Sequence, residues 1–308
     1  MSEPTVSQAV LITGCSSGIG RATAERLART GRPVYATARD ESAIEDLRAA
    51  GCRTLSLDVT DDASMQAAVK AVEDEHGAVG ALVNNAGYSQ SGAIEEVPLE
   101  DVRRQFETNV FGLVRLCQLV LPGMREQDRG RIVNVSSMGA NFTFPGGGFY
   151  HATKYAVEAI SDALRFEVKG FGVEVVLVQP GIIRTGFAEA ATTAMGQAAP
   201  AGAAAAGGPG VYAEFDAAVA KATRDVYEKG PVSKLGGGSD SVAKVIERAI
   251  TADRPRIRYR VTPSAHLLVT QRALMPDAVW DRFLATQFPR PGRGWGERRR
   301  SRSKSATT

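Results

Sequence analysis

Short apolar runs alternate with longer stretches of mixed polarity over most of this chain. The runs are Ala9 to Thr13, Pro33 to Ala38, Arg53 to Leu57, Ala81 to Asn84, Arg131 to Ser136 and Val173 to Gln179. Between them apolar residues recur at three- and four-residue intervals, the spacing of a helix that turns one face to a core. Such alternation predicts a parallel sheet, because parallel neighbours need a crossover and right-handed crossovers carry helices to both faces. The expected fold class is α/β, a doubly wound parallel sheet in three αβα layers, built as a single domain over residues 1–288. Ligands of such sheets gather outside the strands' carboxyl ends.

Beyond Val178 the alternation loosens. Ala188 to Gly210 is rich in Ala and Gly, a composition that holds no packed core of its own. Because it follows a strand's carboxyl end, residues 188–230 are expected to form a flexible substrate lid; a featureless linker is the other reading. Ser241 to Ala252 has helical spacing, Ile257 to Val261 reads as a last strand, and Ala265 to Phe288 as one or two helices. Residues 262–288 are then a C-terminal helical extension.

Composition narrows the function classes. The chain carries a formal charge of +3, but Arg290 to Thr308 holds seven Lys or Arg against Glu297, which leaves about −3 for the rest. The body therefore offers no basic face for nucleic acid, and residues 289–308 read as a basic, disordered tail. Cys15, Cys52 and Cys117 are odd in number and lack CxxC spacing, which argues against a disulfide framework and against a metal site. The N-terminus has no basic leader and no apolar stretch reaches membrane length, so a cytoplasmic protein without stable membrane insertion is expected.

Candidate chemistry begins at the end of the first strand. Thr13-Gly14-Cys15-Ser16-Ser17-Gly18-Ile19-Gly20 leads into a helix expected near Arg21, where N-terminal amides meet a dinucleotide pyrophosphate. Gly14, Gly18 and Gly20 permit the tight turn and let backbone N–H groups approach anionic oxygens that a Cβ would block. The sheet is on this reading Rossmann-type. The letters Gly14-Cys15-Ser16-Ser17-Gly18 also satisfy a G-x-S-x-G elbow with Ser16 as an acyl-transfer nucleophile. That hydrolase needs a downstream acid and then a histidine; only His266 lies late enough, and the elbow falls on too early a strand.

Further motifs follow in order: Asn84-Asn85-Ala86-Gly87 after the fourth strand, Asn109, Ser136-Ser137, Tyr150-His151-Ala152-Thr153-Lys154 and Pro180-Gly181. Together with the glycine loop they make the chain resemble the short-chain dehydrogenase/reductase family over Val10 to about Thr185. Thr13 to Gly18 and Tyr35-Ala36-Thr37-Ala38-Arg39 are most similar to the 17β-hydroxysteroid dehydrogenase and retinol dehydrogenase branch. The resemblance implies an NAD(P)-dependent oxidoreductase that interconverts an alcohol and a ketone or aldehyde.

It also implies roles. Tyr150 exchanges a proton with the substrate oxygen, Lys154 bonds the nicotinamide ribose, and Asn109 anchors a water that relays protons to Lys154. Ser137, thirteen places before the tyrosine as in the family, holds the substrate oxygen. Tyr150 and Lys154 are four apart and project from one helix face. A phenol ionises near pH ~10, and the neighbouring ammonium with an oxidised nicotinamide is expected to lower that value. His151, by contrast, reads as a helix-surface residue. The implied cofactor contacts are Gly14, Ser16, Ser17, Gly18, Ile19 and Gly20 at the pyrophosphate, Asp58 and Val59 at the adenine, and Asn85, Ala86 and Gly87 along the dinucleotide. Tyr150 and Lys154 join them at the ribose, and Pro180, Gly181, Ile183 and Thr185 at the carboxamide, although Ile183 and Thr185 serve equally well as loop packing.

An acidic side chain after the second strand binds a free ribose 2′-hydroxyl, whereas arginine pairs with a 2′-phosphate. In NAD-using relatives the acid lies eighteen places past the last loop glycine; here that position is Ala38, and Arg39 follows. NADP(H) is the expected preference, with NAD(H) left open by Asp40. Phe142, Phe144, Pro145 and Phe149 read either as core or as the lining of a hydrophobic cleft closed by His266 to Phe288. Phe144 and Phe149, with Ser137 and Tyr150, are the expected contacts of a lipophilic carbonyl or alcohol: a steroid, retinoid, fatty carbonyl or polyketide. The resemblance implies a homodimer or homotetramer through the helices carrying Asn109 and Tyr150. A catalytically silent NADP(H)-sensing regulator, with the tail as its partner element, is the alternative from another class.

Overall fold

The computed structural model describes residues 6–185, 211–229 and 233–288, with 290 and 291. Strands β1 (Val10–Ile12), β2 (Val34–Ala38), β3 (Arg53–Ser56), β4 (Ala81–Asn84), β5 (Gly130–Val135) and β6 (Val173–Pro180) follow the apolar runs closely. Two short strands, β7 (Ile183–Arg184) and β8 (Gly237–Gly238), pair with each other, and β9 (Arg258–Val261) closes the main sheet. The seven-stranded sheet is parallel throughout, in the order β3-β2-β1-β4-β5-β6-β9. Its order reverses between β1 and β4, which opens a crevice at their carboxyl ends.

The helices are α1 (Gly18–Ala28), α2 (Asp62–His76), α3 (Leu99–Phe106), α4 (Gly112–Glu126), α5 (Gly148–Glu167), α6 (Ala213–Glu228), α7 (Ser239–Thr251), α8 (Pro263–Leu274) and α9 (Asp277–Gln287). On one face Val10, Ile12, Ala36 and Val133 pack with Leu27 of α1 and Ile246 of α7. On the other, Leu11, Leu82 and Ile132 pack with Val69 of α2, Leu116 of α4 and Val157 of α5. Neighbouring strand residues thus go to opposite cores, so a strand buried on both faces reads as an unbroken apolar run.

Three features differ from the sequence reading. Helix α1 starts at Gly18, three residues before the expected Arg21, directly against the glycine loop. Of the expected lid, residues 188–210 lie outside the described residues, while Ala213–Glu228 forms a helix. Phe215 and Val219, one turn apart, bury against Ala93 and hold that helix in place. Between α3 and α4, Glu107–Phe111 makes a single π-helical turn, which carries Asn109. The terminal extension forms two helices broken at Met275-Pro276. Among the described residues no helix is long and apolar enough to cross a membrane. The tail from 292 onward lies outside them.

Candidate active site

The ends of β1 and β4 are tied together by side chains. Thr13 Oγ1 accepts the N–H groups of Asn85 (3.0 Å) and Ala86 (2.9 Å), and Asn85 Nδ2 donates to the carbonyls of Thr13 (2.9 Å) and Gly14 (3.1 Å). Gly14 and Gly18 adopt φ of +71° and +59°, the left-handed region. A Cβ on Gly20 would stand 2.3 Å from the Gly14 carbonyl oxygen. At the start of α1, Ser17 makes no side-chain cap and the first turn holds no acid. By contrast, Asp61 caps α2. Helix N-terminal N–H groups that no carboxylate shields fit a pyrophosphate. Ser16 and Ser17 are exposed there, Ile19 packs on the core beneath, and Thr185 faces Gly18 from across the loop.

Helix α5 presents the second group. Lys154 Nζ donates to the Val135 carbonyl at the end of β5 (2.9 Å) and lies 5.8 Å from the Tyr150 ring centre. The Ser137 hydroxyl is hydrogen-bonded to Tyr150 and accepts the Gly139 N–H at 3.0 Å. Asn109 spans the neighbouring elements, donating from Nδ2 to the Tyr88 carbonyl (2.9 Å) and to Thr153 Oγ1 (3.1 Å), and accepting the Tyr88 N–H (3.1 Å). Its side chain thus braces the Gly87-Tyr88 loop against α5. A Cβ on Gly87 would fall 3.0 Å from Asn109 Oδ1 and 3.8 Å from Lys154 Nζ, so these groups share one corner.

Burial dominates the acidity of the pair. Burial raises the Tyr150 phenol above its ordinary value and the nearby Tyr227 adds to the rise, while the Ser137 hydrogen bond pulls it back. Burial lowers the Lys154 amine from 10.5 to about 8, with Glu158 opposing. Desolvation therefore pushes each group toward its neutral form. The surface reading of His151 is corrected. It is buried, with Nδ1 2.6 Å from the Gly139 carbonyl oxygen and Nε2 accepting the Phe144 N–H at 3.3 Å.

Arg39 is exposed just past β2. Asp40, the residue that left NAD(H) open, accepts from the Ser42 N–H (3.0 Å) and hydroxyl (2.7 Å), capping the short helix Glu41–Arg48. Asp58 Oδ1 is engaged by the Thr60 N–H (2.9 Å) and hydroxyl (2.8 Å), and Val59 is buried against Gly112. Pro180 ends β6. A Cβ on Gly181 would lie 2.3 Å from Thr262 Oγ1 and 2.5 Å from Ser264 Oγ, so this glycine admits the corner between β9 and α8. Ile183 sits in the sheet core.

The aromatic group divides. Phe142 is 1% exposed and belongs to the core under the terminal helices, with Leu268, Val269 and Trp280. Phe144 is half-buried and stacks on Trp280 at 6.1 Å, and Phe149 is half-buried on α5 beside Tyr150. Ser16 has no histidine or carboxylate partner among the described residues, and His266 is exposed on α8, past the edge strand β9, so the hydrolase arrangement does not form. Sequence reasoning missed Thr13, Tyr227 and the chain Asn84–Asn134–Ser161, in which amide donors at 3.0 and 2.9 Å link β4, β5 and α5. Thr13 carried a usable signal, since it adjoins the glycine loop; Tyr227 lies past every motif.

The chain belongs to the short-chain dehydrogenase family, whose model matches residues 8–196, and by that membership it is an oxidoreductase. It is 45% identical to a 3-ketodihydrosphingosine reductase of Bacteroides thetaiotaomicron over 182 residues, 59% of this chain and 66% of that protein. It is 35% identical to an NADPH-dependent 3-dehydrocapnine reductase of Ornithobacterium rhinotracheale over 285 residues, 89% of this chain and 94% of the relative. Among solved structures, a short-chain dehydrogenase from Streptomyces avermitilis superposes with a TM-score of 0.70 at 32% identity, covering 92% of this chain and 96% of that one. One from Burkholderia phymatum in complex with NAD gives a TM-score of 0.72 at 26% identity, covering 91% and 96%.

Proposed function

We propose that this protein is an NADPH-preferring carbonyl reductase acting on a lipophilic ketone. The observation that carries the proposal is the Ser137–Tyr150 hydrogen bond, with Lys154 one helical turn away, in a chain whose glycine loop leads into an α1 with no acid in its first turn. The bound nicotinamide supplies the hydride. Tyr150 gives its proton to the carbonyl oxygen, Ser137 stabilises charge as it develops there, and Lys154 holds the ribose. Arg39 pairs with the 2′-phosphate, a role favoured by the engagement of Asp40 in its own helix cap. Gly14 to Gly20 seat the pyrophosphate, and Asp58, Asn85 to Gly87 and the Pro180 to Thr185 segment complete the dinucleotide's surroundings.

The names of the Bacteroides and Ornithobacterium relatives both put the reducible carbonyl at carbon 3 and lie outside the steroid and retinoid branch. They favour a long-chain 3-ketone among the lipophilic candidates. Phe144 and Phe149 line its path, and Phe142 supports them from the core.

The test is a panel of long-chain 3-ketones and steroid ketones with both nucleotides. NADPH is expected to be oxidised faster than NADH, and Tyr150→Phe is expected to cut turnover by about a hundredfold or more with NADPH binding intact. Undiminished turnover in that variant refutes the mechanism. NADPH binding without turnover of any ketone by the wild type supports the silent regulator instead.

A further inference from the structure

His151 is the motif residue that the proposed chemistry leaves unused. Its ring lies between two loop segments, with Nδ1 2.6 Å from the Gly139 carbonyl oxygen and Nε2 3.3 Å from the Phe144 amide nitrogen. An amide N–H can only donate and a carbonyl can only accept, so the proton resides on Nδ1 and the bare lone pair on Nε2. Two glycines make room for the ring. A Cβ on Gly139 would stand 2.6 Å from Nδ1, and one on Gly147 would stand 3.1 Å from Cδ2.

These contacts continue to the reacting group. Gly139, whose carbonyl takes the imidazole proton, gives its own N–H to Ser137 Oγ at 3.0 Å. With that lone pair engaged, the Ser137 proton is left for the Tyr150 oxygen, in the sense that favours the phenolate. On the other side of the ring, the Phe144 amide begins the stretch whose phenyl ring stacks on Trp280.

We propose that His151 is a positioning residue for ketone reduction: by holding the Gly139 carbonyl and the Phe144 amide on one ring, it aims the Ser137 hydroxyl at the reacting oxygen and sets the aromatic wall of the substrate cleft. This rests on the roles given above to Ser137 and Tyr150. Only the neutral ring serves, because a proton on Nε2 would meet the Phe144 N–H head on. Burial holds His151 below its ordinary 6.5, and the Gly139 carbonyl opposes that fall. The titratable neighbour on its own helix is Tyr150, itself pushed toward the neutral form. Ser137, Phe142 and Phe144 face it from the loops without charge, and on the extension Arg272 is engaged over Trp280 and with Asp277.

Two amide substitutions separate the contacts. Asparagine puts a donor near the place of Nδ1, and glutamine puts an acceptor near the place of Nε2. With NADPH and a long-chain 3-ketone, His151→Gln is expected to lose about tenfold in kcat, and His151→Asn to raise the ketone KM about tenfold with kcat within about twofold of wild type. Both are expected to keep the NADPH Kd and to lose the wild type's fall in kcat/KM on the acid side of pH 6.5. Wild-type kcat, KM and acid limb in both variants would overturn the proposal. Should the variants not fold, nitrogen-resolved imidazole spectra of the wild type decide. A neutral ring, with its proton on Nδ1 and Nε2 bare, that persists below pH 6.5 is expected, and an Nε2 tautomer or an unshifted titration overturns it. A wild type without turnover would sink the reductase reading and the catalytic role with it, whereas turnover with an Nε2 tautomer would sink the role of His151 alone.

Discussion

Lys154→Met isolates what burial of the amine does to the fold. The side chain is 6% exposed, its Nζ bonded to the Val135 carbonyl at 2.9 Å, and burial brings its pKa from 10.5 to about 8. Below about pH 8 folded and unfolded chains are both protonated, and the full penalty of the buried ammonium stands. Between about 8 and 10.5 the unfolded chain binds more protons, so stability rises with pH across that window. At about 1.4 kcal/mol per pH unit the rise comes to about 3 kcal/mol, an upper figure because the Val135 carbonyl favours the ammonium. Methionine keeps most of the apolar stem and removes the titration. Cys15, Cys117 and Tyr150 are also shifted toward alkaline pH, so the quantity to read is the difference between wild type and variant. Urea unfolding from about pH 7 to about pH 10.5 is expected to show the wild type gaining about 3 kcal/mol on Lys154→Met. A difference that stays constant across that range refutes the electrostatic account of this site.

Arg39→Ala is expected to raise the KM for NADPH at least about tenfold and to leave the KM for NADH unchanged, as initial rates with each nucleotide would read. Equal changes with both would remove Arg39 from the 2′-phosphate. Gly181→Ala drives a methyl to 2.3 Å from Thr262 Oγ1 and 2.8 Å from the Ala265 amide. A loss of about 2 kcal/mol or more in stability is expected, and an unchanged thermal midpoint would show that the β9–α8 corner gives way freely.

The sheet was legible because β1, β2 and β4 are buried on both faces, which turns each into an unbroken apolar run. The glycine loop was legible because its constraint is local: no side chain fits at Gly20 whatever else the chain does. His151 was not. Its neighbours Ala152 and Tyr155 are exposed, and its partners Gly139 and Phe144 come from loops whose path the helix pattern does not encode. Helix α6 hid behind an Ala-rich composition, since only Phe215 and Val219 announce the face that docks on Ala93. The π-helical turn at Asn109 leaves no mark on the sequence, because one extra residue within a helix looks like helix. Pairwise charge reasoning counted the ammonium near Tyr150 and left out the water withdrawn from both groups, which sequence spacing does not reveal.

That withdrawal bears on which form of Tyr150 each direction of the reaction meets. Carbonyl reduction takes a proton onto oxygen and uses the phenol form of Tyr150, whereas alcohol oxidation starts from the phenolate. Burial keeps the proton on Tyr150 well past neutral pH, and Ser137 is the partner that favours its release. The Lys154 ammonium, the other natural support for a phenolate, is present only below about pH 8. Burial thus works against a charged amine and a charged phenol standing side by side. The forms that reduction needs, a protonated phenol beside a protonated amine, coexist at neutral pH. The chain's own groups therefore hold Tyr150 in the protonated form that carbonyl reduction draws on, and alcohol oxidation must first take that proton away.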